Sequence, residues 1–294
     1  MPKRSILSKV LLIGLTCLGT LKAQEIHILY SQNTNGVLMN CQCPSAPLGG
    51  MEKRATFVSD WLKKHPNTLL FDSGDFFSFD GDEVNDARML RAMEALHYTA
   101  VNVGDQEFSN GIGFLESNMK QGSIPWVASN LQSTNDSMLE VPQQRTLTVS
   151  GLNILVLGLI DSESYEFYDR IYGDFNLVVT DPIQAVRRIY TQAMSSSRID
   201  LVMLLSNLGY DQDEQIAKDL DFIDVIIGGH SQHQFDRPIV IEKTIITQCG
   251  KSGQYMGHLD LQMEKSKLAA YSGELIPMDL SIKDDEAMMK LISE

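Results

Sequence analysis

Cysteine is scarce in this chain: four among 294 residues, with Cys17 near the start and only Cys41, Cys43 and Cys249 beyond it. So few cysteines rule out a small disulfide-built scaffold. The odd count past the first stretch leaves at least one thiol unpaired within a monomer. Positive charge is also short, with 24 basic against 38 acidic side chains. Four of the basic ones (Lys3, Arg4, Lys9 and Lys22) lie in the first 23 residues, so the remainder balances 20 against 38, or −18. A surface of that sign excludes nucleic acid as a general partner, and it repels free nucleotides unless bound cations or a local basic pocket reverse the field. Long apolar runs are missing after Leu21, so no later segment is expected to span a bilayer. With no repeats and no low-complexity linker, the expectation is one globular unit long enough to bury a sizeable core.

What is present begins with an address. Lys3, Arg4 and Lys9 precede an apolar stretch from Val10 to Leu21 with no acidic residue. That is the pattern of a secretory signal peptide, and cleavage is expected near Ala23. The run is short for a transmembrane helix, and Thr16 before Cys17 fits a lipid anchor poorly. The expectation is therefore a leader over 1–23 and an exported product, periplasmic or secreted, over 24–294, with no stable membrane insertion after cleavage.

Short apolar runs then alternate with amphipathic stretches, which argues for α/β layering. Strands are expected at 26–31, 68–72, 100–103, 126–129, 154–159, 201–206, 225–228, 244–248 and 256–263. Helices are expected at 50–64, 84–96, 182–194, 211–220 and 285–292. On the second helix Met89 and Met93 read as core filler rather than soft-metal ligands. Arg237 and Pro238 open a loop, because proline cannot donate to a sheet ladder, and a closing strand is expected after Tyr271.

Five strand-to-loop segments carry the chemistry: LYSQNTNGVL (29–38), FDSGD (71–75), VNVGDQEF (101–108), LLSNLG (204–209) and IIGGHSQ (226–232). In that order they resemble the exported 5'-nucleotidase branch of the calcineurin-like metallophosphoesterases, from about Glu25 to about Tyr271. The resemblance implies an α/β four-layer metallophosphoesterase sandwich, two mixed β-sheets flanked by helices, and hydrolase chemistry at two divalent cations. Full-length nucleotidases of that branch add a C-terminal domain whose aromatic side chains sandwich the nucleobase. This chain is expected to lack it, so nucleotide specificity is not carried over.

Set against the family's motifs, the site is short of imidazoles and rich in amides. The family's first-motif Asp and His become Asn33 and Asn35. The bridging Asp of the second motif is kept as Asp75. In the third motif, Gly-Asn-His-Glu in the family, Asp105 replaces the metal-binding Asn and Gln106 stands at the position of the leaving-group His, with Glu107 kept. The fourth-motif His becomes Asn207, and the two His of the fifth become His230 and Gln232. His233 lies one residue further on, where a shifted loop position points its ring elsewhere unless the backbone bulges.

Every lost ligand is replaced by a side chain that still offers a carbonyl oxygen. Asn33, Asn35, Asp75, Asp105, Gln106 and Asn207 can therefore form an oxygen-rich cage suited to a hard divalent cation, Ca²⁺, Mg²⁺ or Mn²⁺. The alternative is that the amides hydrogen-bond across a closed, metal-free pocket. Gly49 and Gly50, with Lys53 and Arg54, read either as a phosphate cradle at a helix start or as a tight packing turn.

The cysteines give a second lead, because NCQCPSAPLGG (40–50) follows the first motif directly. Three readings stay open: a structural disulfide from Cys41 or Cys43 to Cys249, a strained redox pair between Cys41 and Cys43, and a soft-metal site. Two functions follow. One is weak or altered metal-dependent hydrolysis of a small phosphorylated ligand by Asp75, Asp105 and His230. The other is a non-hydrolytic binding or thiol-redox protein that meets an exported redox partner through Cys41 and Cys43.

Overall fold

The computed structural model describes residues 24–41, 43–134, 139–173 and 175–294; the leader expected over 1–23 lies outside them. The strands, in chain order, are β1 (Gln24–Ser31), β2 (Leu69–Asp72), β3 (Ala100–Asn102), β4 (Trp126–Val127), β5 (Leu131–Ser133), β6 (Arg145–Val149), β7 (Leu152–Ile160), β8 (Leu177–Val179), β9 (Leu201–Asn207), β10 (Val225–Gly228), β11 (Ile239–Ile241), β12 (Thr244–Thr247), β13 (Tyr255–Glu264) and β14 (Lys267–Pro277). The helices are α1 (Met51–Lys64), α2 (Glu83–Ala95), α3 (Gly111–Gln121), α4 (Ser162–Tyr172), α5 (Pro182–Ser196), α6 (Tyr210–Asp219) and α7 (Glu286–Ser293).

Two six-stranded sheets form the body, in the orders β14-β13-β1-β2-β3-β4 and β11-β12-β10-β9-β7-β6, and β5 pairs with β8 separately. Both large sheets are mixed. In the first, β1 to β4 are mutually parallel while β13 runs antiparallel to β1. In the second, β7, β9, β10 and β12 are parallel, with β6 and β11 antiparallel at the edges.

Apolar composition explains the layering. The strands β2 (LLFD), β9 (LVMLLSN) and β10 (VIIG) are buried along their whole length, as parallel strands covered on both faces must be. Ile26, Ile28, Phe71, Ile154, Val156, Met203 and Ile227 pack between the two sheets. On the outer face of the first sheet, Leu29, Leu70 and Val101 meet Met51 and Val58 of α1 and Met89 and Met93 of α2. On the outer face of the second, Leu155, Leu204 and Ile226 meet Val186 of α5 and Ile216 of α6. Met89 and Met93 are core side chains, as their helical spacing suggests.

Every expected strand and helix is present within two residues of its expected bounds. The closing strand differs: it starts at Lys267 rather than after Tyr271, an edge strand with most side chains exposed and hence little apolar alternation to announce it. Pro238 leads into β11, an edge strand, where a missing N–H costs nothing. Among the described residues no helix is long and apolar enough to cross a membrane.

Candidate functional site

The carboxyl ends of β1, β2, β3, β9 and β10 open onto one edge, so the five motif loops converge although they come from two different sheets. Ser73 Oγ donates to Ile227 O at 2.7 Å and Asn207 Nδ2 donates to Ser73 O at 3.4 Å, which ties the second, fourth and fifth loops across the sandwich.

Three of the expected ligands meet there. One carboxylate oxygen each from Asp75 and Asp105 and one ring nitrogen of His230 all lie within 4.8 Å of one another. His230 Nδ1 is 3.0 Å from Asp105 Oδ1 and 3.9 Å from Asp75 Oδ2. Burial, with the negative charges of Asp105 and Glu107 added, pushes the Asp75 carboxyl well above its usual range. The hydrogen bond to Asp105 raises His230. Carboxylates crowded in this way, with one imidazole among them, make a site that favours a cation.

The backbone is bent to the same end. Asn33, Asn35, Asp75, His230 and Gln232 all take positive φ, between 47° and 62°. Asn and Asp tolerate this conformation, whereas for His230 and Gln232 it costs on the order of 1–2 kcal/mol. Glu107 holds the second loop in place: its carboxylate accepts the N–H groups of Asp75 (3.0 Å), Phe76 (2.9 Å) and Gly104 (2.7 Å). Even so, burial pushes its carboxyl up to about 8.

The remaining expected residues fall into different places. Asn33 Oδ1 accepts the His230 N–H at 2.9 Å and its Nδ2 donates to Gly250 O at 3.1 Å, so this amide straps the first loop to the fifth. Asn207 Oδ1 accepts the Asp105 N–H at 3.4 Å. Asn35 donates its N–H to Asp75 O, and its buried Oδ1 has no hydrogen-bond partner. Gln106 donates its N–H to Asp75 Oδ1 at 3.3 Å, and its buried Oε1 is likewise unpartnered. Gln232 is exposed. His233 sits beside Ser231 Oγ with its ring stacked on Phe235, turned from the cluster.

The phosphate-cradle reading of Gly49, Gly50, Lys53 and Arg54 does not hold. Lys53 Nζ is spent on Ile282 O and Asp284. Arg54 is buried, donating to Tyr98 Oη at 3.2 Å and Thr34 Oγ1 at 3.0 Å. A Cβ on Gly50 would meet the Glu52 carboxylate at 2.4 Å, so the glycine serves packing. Nor does Cys249 bridge to the first loop: Cys41 and Cys43 pair with each other in an exposed segment. Cys249 is buried with Sγ 3.0 Å from Gln32 Oε1, and burial pushes its thiol up to about 12.

Sequence reasoning missed three contributors. Phe79, Phe167 and Tyr168 line a cavity of about 210 Å³ with Asp105, Ser164 and His230, and nothing in the α4 sequence marks its aromatics as facing the site. Asp213 lies buried behind the fifth loop, near Ser206 and Gln248, its carboxyl pushed up to about 7 by burial. Asp72 accepts Ser31 Oγ at 2.5 Å in the network that holds Arg54. That network had a visible signal, since Arg54 stands at core spacing from Met51 and Val58.

No family model matches the chain. Over its whole length it is 24% identical to the 5'-nucleotidase of Diplobatis ommata, and it spans 56% of that relative. Its fold is similar to the 5'-nucleotidase precursor of Thermus thermophilus (TM-score 0.82, 21% identity), with 92% of this chain and 58% of that one covered. It is similar also to the calcineurin-like phosphoesterase YfkN of Bacillus subtilis (TM-score 0.78, 19% identity), where the coverage is 92% and 96%. The chain thus spans about half the length of the first two. In sequence and in its two-sheet sandwich the chain is similar to proteins of the 5'-nucleotidase-like branch of the calcineurin-like phosphoesterases.

Proposed function

We propose that the chain binds one divalent cation through Asp75, Asp105 and His230 and hydrolyses a small phosphorylated molecule there, weakly or with altered demands compared with a full two-cation site. The observation that carries this reading is the meeting of those three ligand atoms at the end of the sandwich. The donor set of two carboxylates and one imidazole suits a cation that takes oxygen readily, and the adjoining motif loops carry unpartnered amide oxygens on Asn35 and Gln106. A bound Mg²⁺, Mn²⁺ or Ca²⁺ supplies positive charge to a phosphoryl group and to an attacking water.

The chain's own residues set the limits. With Asn33 committed to the His230 loop and Gln232 exposed, a second cation has few anionic or imidazole ligands. Gln106 cannot give a proton to a leaving oxygen as an imidazole can. Glu107 holds the Asp75 loop, and Phe79, Phe167 and Tyr168 wall the cavity over Asp105 and His230.

The nucleotidase relatives support a phosphorylated small molecule as substrate and lend the thiol-partner alternative no weight. Export belongs to the same proposal, resting on the leader-like 1–23 ahead of a metallophosphoesterase-like domain over 24–294. Elemental analysis of the purified chain should find one divalent ion per molecule, lost in Asp75→Ala together with hydrolysis of phosphomonoesters. A metal-free chain that stays inactive with added Mn²⁺, Mg²⁺ or Ca²⁺ defeats the reading.

A further inference from the structure

Three of the six histidines gather far from the motif loops, where β1, β13 and the end of α1 meet. His27 and Asp260 are directly opposite one another in the β1–β13 register, and His258 is the diagonal neighbour opposite Leu29 on the same face. His27 Nδ1 lies 2.5 Å and His258 Nε2 lies 2.9 Å from the same oxygen, Asp260 Oδ1. The side chains are mostly buried, at 18%, 9% and 22% exposure for His27, His258 and Asp260. From His27 to Asn33 is six residues, roughly 20 Å along an extended strand, so the cluster is separate from the Asp75 site.

We propose that His27, His258 and Asp260 are a second metal site, one that takes a borderline transition cation of the Zn²⁺ class. Two imidazole nitrogens and a carboxylate oxygen are a donor set Zn²⁺ uses, with a water in the fourth position. Ligand atoms about 2.0–2.1 Å from a tetrahedral ion sit roughly 3.3 Å apart, so Asp260 Oδ1 must draw back by about 0.4 Å from His258 and about 0.8 Å from His27, a shift within reach of side-chain torsions.

The surroundings supply a hydrogen-bonding outer partner for His27 and a carboxylate facing His258. A ligating histidine ring donates its other N–H to an outer partner that fixes its tautomer and orientation. The Nε2 of His27 faces His65 Nδ1 at 3.3 Å and Glu25 at 3.9 Å, and the Nδ1 of His258 faces Glu274 at 3.9 Å. His65 is the residue that caps the carboxyl end of α1, which makes it a positioning residue rather than a ligand. Trp61, one turn earlier, covers the cluster, its ring 4.6 Å from that of His65 and 4.4 Å from that of His258. An ion here staples the β1–β13 pair beneath the end of the helix. Without one, the same atoms form a hydrogen-bonded chain in which both imidazoles donate to Asp260.

Zn²⁺ alone is the probe, titrated by equilibrium dialysis into untagged full chain stripped with chelator. Asp75→Ala, which disables the other cluster, is expected to keep one equivalent of Zn²⁺. Adding His258→Ala should weaken that equivalent at least a hundredfold, and adding His65→Gln instead about tenfold. Trp61 emission should respond to Zn²⁺ in Asp75→Ala and not in Asp75→Ala/His258→Ala. Should the double variant fold poorly, Co²⁺ bound to Asp75→Ala provides a second reading, through the intense visible bands of a four-coordinate site. A folded Asp75→Ala chain that binds no Zn²⁺, or binds it as tightly after His258→Ala, or holds Co²⁺ with only the weak spectrum of six-coordination, leaves a hydrogen-bonded chain only and overturns the proposal.

Discussion

Gln106, whose backbone N–H donates to Asp75 Oδ1, carries a neutral amide side chain at the position where the resembled family has its leaving-group His. An alkoxide leaving group needs a proton and a stable phenolate does not, so the amide should bias hydrolysis toward aryl phosphates. Gln106→His is expected to raise kcat on alkyl phosphates by about tenfold to a hundredfold while changing aryl phosphates little, since positioned general acids contribute about 10²–10⁴. Equal effects on the two substrates, measured side by side, remove Gln106 from the leaving-group side. Single residues also show how unevenly the site could be read beforehand. Asp75, Asp105 and His230 were legible because each stands at a ligand position of a strand-end motif of the family the sequence resembles. The role of Asn33 was not, because an amide donates and accepts alike, and only the fold reveals that its partners are the His230 N–H and Gly250 O.

Between elements, the loops after β2 and β3 lie back to back with almost no clearance. A Cβ on Gly104 would stand 2.4 Å from Asp75 Oδ1 and 2.7 Å from Asp75 N. Gly104→Ala must therefore push the Asp75 loop away from Glu107, and a loss of about 1–3 kcal/mol is expected, as for other overpacked sites. Urea unfolding together with metal analysis checks this; an unchanged midpoint with full metal content would mean the loops part without cost. Periodicity recovered the elements that bury two faces or one clean stripe, such as β9 and α5. It missed α4, whose buried Tyr165 and Tyr168 stand among exposed Phe167, Ile171 and Tyr172. It also missed α3, which buries only Leu115, and β5, β6, β8 and β11, short strands that owe their place to a neighbour's ladder rather than to their own composition.

Over the molecule as a whole, burial holds several acids at once far above their ordinary values: Asp72 and Asp213 to about 7 and Glu107 to about 8, with Asp75 raised as well. Acids whose pKa is higher folded than unfolded bind more protons in the folded state throughout the interval between the two values. Stability must then fall as pH rises from about 4 toward 8. The raised His230 acts in the same direction, its contribution complete below about 6.5 and lost above its folded value. Chelator-treated protein should accordingly show a higher urea midpoint at pH 5 than at pH 8, and a cation at Asp75 should flatten the difference. An apo midpoint that climbs with pH would show that these carboxyls ionise without penalty. With Cys41 and Cys43 joined to each other, the only sulfhydryl left among the described residues is Cys249, sealed beside Tyr30 and Gln32 between the sheets. The chain thereby carries its own stopwatch: a thiol reagent can mark Cys249 only when the sandwich parts, so the labelling rate in native buffer counts how often the two sheets come open.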